Sequence, residues 1–216
     1  MSILIIALPR TGSTVMCRAL AKALGYKFVM EPFNTKTPRS KLDLSDITHD
    51  SKVVVKTMIE QFPKSPEYME KHPELFKNDP SIEFNLFFAK RFNHIILLDR
   101  QDIYDQCISL TNAQARTKVH LTQFWHVPYR AEIDNKAIED CQFKLRKYKS
   151  NLEYLSKFTD YEITHYERVY SEKRGIRRKI VEFLLDSNPD FDIKAYVDYT
   201  DPIHRYRKQD KPKGLL

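Results

Sequence analysis

The sequence predicts an α/β protein with three layers, and three observations support that class. Short apolar runs alternate along the chain with longer segments whose apolar residues recur at helical spacing. The runs 52–57 and 94–99 show no regular alternation of polar residues, which is typical of strands buried on both faces of a parallel sheet. The first run leads through a tight loop directly into a helix. We therefore expect a central parallel sheet of about five strands flanked by helices.

The pattern of apolar residues predicts the positions of these elements. The predicted strands are 2–8, 26–30, 52–57, 94–99 and 161–166. The predicted helices are 15–24, 80–91, 102–117, 131–157 and 174–186. Four prolines between residues 60 and 80 allow only short helical turns there. No repeat or linker divides the chain, so we expect a single domain over 1–216 with a basic tail at about 204–216.

The composition predicts a folded, basic protein. Lys and Arg number 36 against 29 Asp and Glu, and the net charge of +7 suits an anionic ligand or a solvated basic surface. No apolar run approaches the roughly 20 residues that span a bilayer, and the first run is too short for a secretory signal. Three cysteines are too few, and wrongly spaced, for a disulfide framework or a zinc site. We therefore expect a cytoplasmic protein with reduced thiols.

Residues 9–14, Pro-Arg-Thr-Gly-Ser-Thr, form the loop between the first strand and the first helix. The backbone N–H groups at a helix start point at one spot and favour an anion there, usually a phosphate. Gly12 is one of only four glycines in the chain, so its place in this loop is informative. The alternative is a strand–turn–helix junction that binds no ligand.

The loop partly matches the phosphate-binding pattern G-x-x-x-x-G-K-[ST]. Gly12 and Thr14 fit the pattern. Ala7 replaces its first glycine, and Ser13 replaces its lysine. The cation of this P-loop-like segment is instead Arg10, inside the loop. The loop can therefore hold an anion but lacks the lysine that reaches the terminal phosphates of a nucleoside triphosphate, and a small-molecule kinase with an altered loop is an alternative.

Other charged or polar residues follow the remaining strands, where parallel sheets bind their ligands. These residues are Glu31, Lys56, Arg100 and Tyr166. Ser109 lies on the helix that follows Arg100, and the two side chains together could bind a second phosphate group. The alternative is a salt bridge at the helix start and an ordinary helical serine.

These segments resemble the sulfotransferases that use 3′-phosphoadenylyl sulfate (PAPS). Residues 9–14 resemble the 5′-phosphosulfate loop of that family, and residues 100–110 resemble its 3′-phosphate site. The second segment reads R-x-D-x-x-x-Q-x-x-S-L, which is most similar to the bacterial trehalose-sulfotransferase-like branch. Four further segments fit that branch in order, namely 31–33, 55–56, 124–126 and 164–167. The resemblance covers roughly residues 3–170.

The resemblance implies transfer of a sulfuryl group from PAPS to a hydroxyl of a small-molecule or carbohydrate acceptor, with adenosine 3′,5′-bisphosphate as the product. It implies that the 5′-phosphosulfate is held by Arg10, Thr11, Gly12, Ser13 and Thr14. It assigns the 3′-phosphate to Arg100 and Ser109, and the adenine to Tyr166. Arg10 and Lys56 would supply the positive charge that stabilises the transition state, so no metal is implied.

The acceptor hydroxyl also needs a general base. Many cytosolic members of the family have Lys-Thr-His after the third strand, whereas this chain has Met58 in place of the histidine. The trehalose branch has a glutamate after the second strand, and Glu31 matches it, so we expect Glu31 to be the base. The alternatives are a structural Glu31 paired with a nearby Lys or Arg, and His126 as a substitute base.

A nucleotide and a hydroxylated acceptor are therefore the expected partners, and we expect neither nucleic acid nor a membrane. The remaining alternative is a non-catalytic basic module that binds nucleic acid or a sulfated polymer. The cations of such a module would line one surface, whereas here they follow strands. The resemblance leaves a homodimer open, because some members of the family are dimers. Four basic residues are predicted to form a solvated helix face: Lys144, Arg146, Lys147 and Lys149.

Overall fold

A computed structural model describes residues 1–34, 47–115, 135–159, 161–170, 181 and 191–200. Its sheet consists of β1 (Ser2–Ala7), β2 (Lys27–Met30), β3 (Val53–Met58), β4 (His94–Asp99) and β5 (Ile163–His165). The strand order is β2-β3-β1-β4-β5, and every neighbouring pair is parallel. The predicted α/β class with a central parallel sheet is therefore confirmed. Each strand end lies within two residues of its predicted position.

The helices are α1 (Ser13–Leu24), α2 (Pro66–Lys71), α3 (Pro80–Ala89), α4 (Ile103–Ala115), α5 (Asn135–Thr159) and α6 (Tyr166–Val169). A 3-10 turn covers Pro73–Phe76, and residues 193–200 are also helical. None of these described helices is long and apolar enough to cross a membrane. Of the predicted helix 174–186, only Val181 lies within the described residues.

Local sequence determines where several elements begin and end. Gly25 ends α1 with a left-handed backbone at φ 66°, and its N–H group donates to carbonyls of the last helical turn. Asp79 begins α3 because its carboxylate accepts hydrogen bonds from two N–H groups of the first turn. The fifth strand is shorter than predicted because Tyr166 already belongs to α6.

Alternate side chains of β1 point to opposite faces of the sheet. Ile3 and Ile5 belong to the hydrophobic cluster that contains the buried face of α1 and part of residues 193–200. Leu4 and Ile6 belong to a second cluster, which contains buried side chains of α3 and α5. Both faces of the sheet are therefore covered by helices, which explains why its strands lack polar alternation.

The central position of β1 determines where the loop after it lies. In the plane of the sheet, β3 and then β2 lie on one side of β1, and β4 and then β5 lie on the other side. The N–H group of Leu8 donates to the carbonyl of Leu98, and that of Ile59 donates to the carbonyl of Ala7. The loop after β1 therefore begins between the segments that follow β3 and β4. Open α/β sheets bind their ligands at such a point.

Candidate active site

The loop after β1 turns sharply before it enters α1. Arg10 and Gly12 both have a left-handed backbone, at φ 62° and φ 73°. Thr11 is fully buried between them, and its hydroxyl donates to the carbonyl of Leu8 at 2.9 Å. The first turn of α1 contains no acidic residue, and no side chain of the described residues caps it. The positive end of the helix dipole therefore faces the loop without a local negative charge, which favours an anion there.

Gly12 packs closely against two tyrosines from the segment after β5. A Cβ atom at position 12 would lie 2.5 Å from Cε2 of Tyr170 and 3.0 Å from Cε2 of Tyr166. The Tyr170 hydroxyl donates to the carbonyl of Gly12 at 2.6 Å. The left-handed backbone therefore favours glycine at this position, and the close contact with Tyr170 leaves no room for a Cβ atom unless the tyrosine moves.

Two side chains of α4 contact the other half of the loop. Gln106 Nε2 donates to the carbonyl of Pro9 at 2.7 Å. Arg10 Nε donates to the hydroxyl of Ser109 at 2.9 Å, although the two residues are 99 positions apart. The structure therefore brings the loop and the segment 100–110, two segments singled out from sequence, into direct contact.

Arg100, directly after β4, is 5% exposed and contacts two carboxylates. Its Nη2 donates to Oδ2 of Asp105 at 3.1 Å, and its Nε lies 3.8 Å from Oε1 of Glu167. The Glu167 carboxylate also accepts hydrogen bonds from the N–H groups of Gln101 and Asp102, at 3.0 Å and 3.3 Å. The salt bridge expected as one of two alternatives is therefore present, and phosphate binding by Arg100 stays a prediction.

Tyr166 lies between the loop and Arg100. The guanidinium carbon of Arg100 is 5.1 Å from the centre of the tyrosine ring. Tyr166 is only 4% exposed and belongs to the hydrophobic cluster on the α1 face of the sheet. In this position the ring supports both Gly12 and Arg100, and its contact with adenine stays a prediction.

Lys149, which was predicted to lie on a solvated helix face, contacts the end of β4 beside Arg100. Lys149 of α5 donates to Oδ2 of Asp99 at 2.9 Å and also to the carbonyl of Arg100. The predicted solvated face is therefore wrong for Lys149, because its long side chain reaches from α5 to the end of β4. The other three basic residues of that face are exposed, as predicted.

Glu31 and Lys56 form an ion pair at the ends of β2 and β3. Met30 pairs with Lys56 in the sheet, so the next residue, Glu31, emerges from β2 beside the lysine. Lys56 is 3% exposed, and its Nζ donates to Oε1 of Glu31. Asn34 and Gln61 donate to the other carboxylate oxygen, Oε2, at 2.7 Å and 3.2 Å. The backbone of Glu31 is left-handed, at φ 49°.

These contacts determine the protonation state of Glu31. Burial raises its pKa, but the charge and hydrogen bond of Lys56, together with the two amide donors, outweigh burial and lower the pKa from 4.5 to about 2. A carboxylate with so low a pKa is ionised at neutral pH but is a weak base. The ion pair expected as the alternative to catalysis is therefore present, and the role of Glu31 as base stays a prediction.

Glu60 is a further carboxyl group in this region that was not predicted from the sequence pattern. It lies two residues beyond the end of β3. Its Oε2 atom is buried and has no hydrogen-bond partner among the described residues. Burial is the largest influence and raises the pKa of Glu60, which also senses the charges of Lys56 and Glu31. An acidic residue shortly after a buried strand is a signal that could have identified it.

Some predicted features lie outside the described residues. These are the segment 124–126, with the substitute base His126, and the basic tail at about 204–216. Within the described ranges, no group of three or more His, Cys, Asp and Glu side chains could hold a metal ion.

The fold and the site together define a three-layer α/β protein whose central strand ends in a loop suited to an anion. The predicted site residues form two groups at the carboxyl edge of the sheet. One group is residues 10–14 with Arg100 and Ser109, and the other is Glu31 with Lys56. No protein-family model matches the chain, and no curated protein is significantly similar to it in sequence.

Proposed function

We propose that the protein is a sulfotransferase that transfers the sulfuryl group of PAPS to a hydroxyl of a small-molecule or carbohydrate acceptor. The hydrogen bond between Arg10 and Ser109 is the observation that supports this function most. It joins a loop that resembles a 5′-phosphosulfate site to a helix that resembles a 3′-phosphate site. A nucleotide that carries phosphates on both the 5′ and the 3′ position of one ribose needs two such sites close together.

The loop would act on the leaving group of the reaction. In sulfuryl transfer, the acceptor oxygen bonds to sulfur while the bond from sulfur to the 5′-phosphate oxygen breaks. Negative charge then increases on the departing phosphate, as it does in phosphoryl transfer. The N–H groups at the start of α1 and the guanidinium of Arg10 are donors that would stabilise this charge.

Glu31 would accept the proton of the acceptor hydroxyl, and Lys56 would control how basic it is. While it is paired with Lys56, Glu31 has a pKa of about 2 and is a weak base. If Lys56 turned from Glu31 to the sulfuryl group, its charge and hydrogen bond would no longer lower the pKa of Glu31, and burial would then raise that pKa. One movement of Lys56 would therefore add positive charge at the transferring group and strengthen the base.

Calorimetric titration of the whole chain with three nucleotides tests this proposal. We expect adenosine 3′,5′-bisphosphate to bind more tightly than adenosine 5′-monophosphate or ATP with Mg²⁺. Arg100→Ala should weaken binding of the bisphosphate about tenfold. It should leave the affinity for the monophosphate nearly unchanged, because only the bisphosphate has a 3′-phosphate. The exposed Arg146→Ala is the matched control and should change neither.

Tight binding of ATP with Mg²⁺ and no binding of the bisphosphate would contradict the proposal and favour a kinase. Equal loss of affinity for the bisphosphate and the monophosphate in Arg100→Ala would show that Arg100 does not contact the 3′-phosphate.

A further inference from the structure

The buried guanidinium of Arg100 has an anionic neighbour that the proposed reaction does not use. Glu167 of α6 accepts hydrogen bonds from the N–H groups of Gln101 and Asp102, at 3.0 Å and 3.3 Å. Its Oε1 lies 3.8 Å from Nε of Arg100. One carboxylate therefore contacts two backbone donors before α4 and an arginine. The same kinds of donor bind phosphate in proteins.

Arg100 has little room for another partner while Glu167 is in place. The residue is 5% exposed, its Nη2 already donates to Asp105, and its guanidinium lies over the ring of Tyr166. Its Nε is buried and makes no hydrogen bond within the described part of the chain. A phosphate at the same donors would be repelled by the Glu167 carboxylate, because two negative charges at contact distance in a partly buried site repel strongly.

We propose that Glu167 is a displaceable internal anion, which occupies the 3′-phosphate position in the free protein and leaves it when the nucleotide binds. This inference rests on the proposed function, which assigns a 3′-phosphate to Arg100. Before the nucleotide binds, Glu167 places a second negative charge beside the buried Arg100, whose Nη2 donates to Asp105. It also accepts hydrogen bonds from the N–H groups of Gln101 and Asp102. The 3′-phosphate carries more negative charge than one carboxylate and more acceptor oxygens, so it can displace Glu167.

The position of Glu167 allows this exchange without movement of the helix. Its side chain is 34% exposed and can turn into solvent. Its neighbours Tyr166 and Val169 are buried and hold α6 against the core. Because Glu167 competes with the 3′-phosphate, it lowers the affinity of the site for adenosine 3′,5′-bisphosphate and promotes release of this product.

Glu167→Gln tests the inference, because it removes the charge and keeps the size of the side chain. We expect this variant to bind adenosine 3′,5′-bisphosphate about tenfold more tightly than the wild type and to release it more slowly in stopped-flow dissociation. Its affinity for adenosine 5′-monophosphate should not change. Glu162→Gln at an exposed position makes the same change in net charge and should alter neither affinity.

Unchanged binding of the bisphosphate by Glu167→Gln would overturn the inference, because a competing carboxylate must lower the affinity. Weaker binding would also overturn it and would show that Glu167 orients Arg100 instead. If the Gln variant does not fold, Glu167→Asp replaces it, because the shorter side chain withdraws the carboxylate from the two N–H groups. The same selective gain in affinity is then expected. A wild-type chain that binds the bisphosphate no better than the monophosphate would instead contradict the proposed function.

Discussion

Arg10 and Glu31 have a left-handed backbone, and they are the only described residues other than glycine that do, at φ 62° and φ 49°. Such a backbone costs a residue with a Cβ atom roughly 1–2 kcal/mol, so surrounding contacts must hold it. Arg10 is held by its hydrogen bond to Ser109. Glu31 is held by the hydrogen bond from its own N–H group to the carbonyl of Lys56, at 2.7 Å. Strain of this kind is concentrated at functional sites, which agrees with the role proposed for both residues.

Arg10→Gly and Arg10→Ala separate the function of this side chain from the strain in its backbone. Both variants lose the guanidinium, so both should weaken binding of adenosine 3′,5′-bisphosphate by about tenfold or more. Glycine adopts φ 62° without strain, whereas alanine does not. The free energy of unfolding of Arg10→Gly should therefore be about 1 kcal/mol higher than that of Arg10→Ala. Chemical denaturation measures the difference, and equal stability of the two variants would show that the backbone is not strained.

The Glu31–Lys56 pair should make the stability of the fold depend on pH in the acid range. Although burial raises the pKa of Glu31, Lys56 and the amide donors lower it from 4.5 to about 2. A lowered pKa stabilises the folded state by roughly 3 kcal/mol above the unfolded pKa of 4.5, and this contribution is lost as the pH falls through about 2. Glu31→Gln should therefore be less stable than the wild type at neutral pH, and the difference should close in acid.

Denaturation at a series of pH values measures that difference in unfolding free energy. The double variant Glu31→Gln with Lys56→Met should recover most of the loss, because it removes the buried lysine charge that the single variant leaves unpaired. A difference between Glu31→Gln and the wild type that stays constant down to the acid limit would contradict the ion pair.

At the scale of elements, several segments hold the loop after β1, and each uses a different contact. The helix α4 provides hydrogen bonds through Gln106 and Ser109. Tyr166 and Tyr170, at the two ends of α6, pack on Gly12. The position of the loop therefore depends on how α4 and α6 lie on the sheet and not on the loop sequence alone.

Gly12→Ala and Gly25→Ala measure the contribution of this packing. The two glycines have similar backbones, at φ 73° and φ 66°, but a Cβ at Gly12 would meet Tyr170 at 2.5 Å while one at Gly25 meets nothing within 4 Å. Gly25→Ala should cost about 1 kcal/mol for the backbone alone, and Gly12→Ala about 1–3 kcal/mol more for the overlap. Urea denaturation gives both values, and equal losses would show that the tyrosines move aside freely.

The three inner strands β1, β3 and β4 were predictable from sequence, because a short, largely apolar run without regular alternation is typical of a strand covered on both faces. The contacts between elements were not. Lys149 was predicted to be solvated, but the packing of α5 on the sheet brings its ammonium group to Asp99. Nothing in the sequence around Lys149 indicates this contact. Tyr170 contacts Gly12 across 158 positions, and Glu167 reaches Gln101 across 66, so neither contact leaves a local pattern.

At the scale of the whole molecule, the strand order gathers the described candidate residues at one edge of the sheet. The loop of residues 9–12 follows the central strand β1. Arg100 lies on the side of β4, and the Glu31–Lys56 pair lies on the side of β2 and β3. We therefore expect the nucleotide to extend from the loop toward β4 and the acceptor to bind above β2 and β3. The net charge of +7 favours the approach of an anionic nucleotide.

Incubation with PAPS that is radiolabelled at sulfur, together with a mixture of small hydroxylated molecules and carbohydrates, measures the proposed reaction most directly. We expect the label to move to a new product in step with the formation of adenosine 3′,5′-bisphosphate. Glu31→Gln should bind the bisphosphate almost as the wild type does and transfer much less label, because it lacks the base. Label that stays in PAPS, or that appears only as free sulfate, would contradict the proposed sulfotransferase.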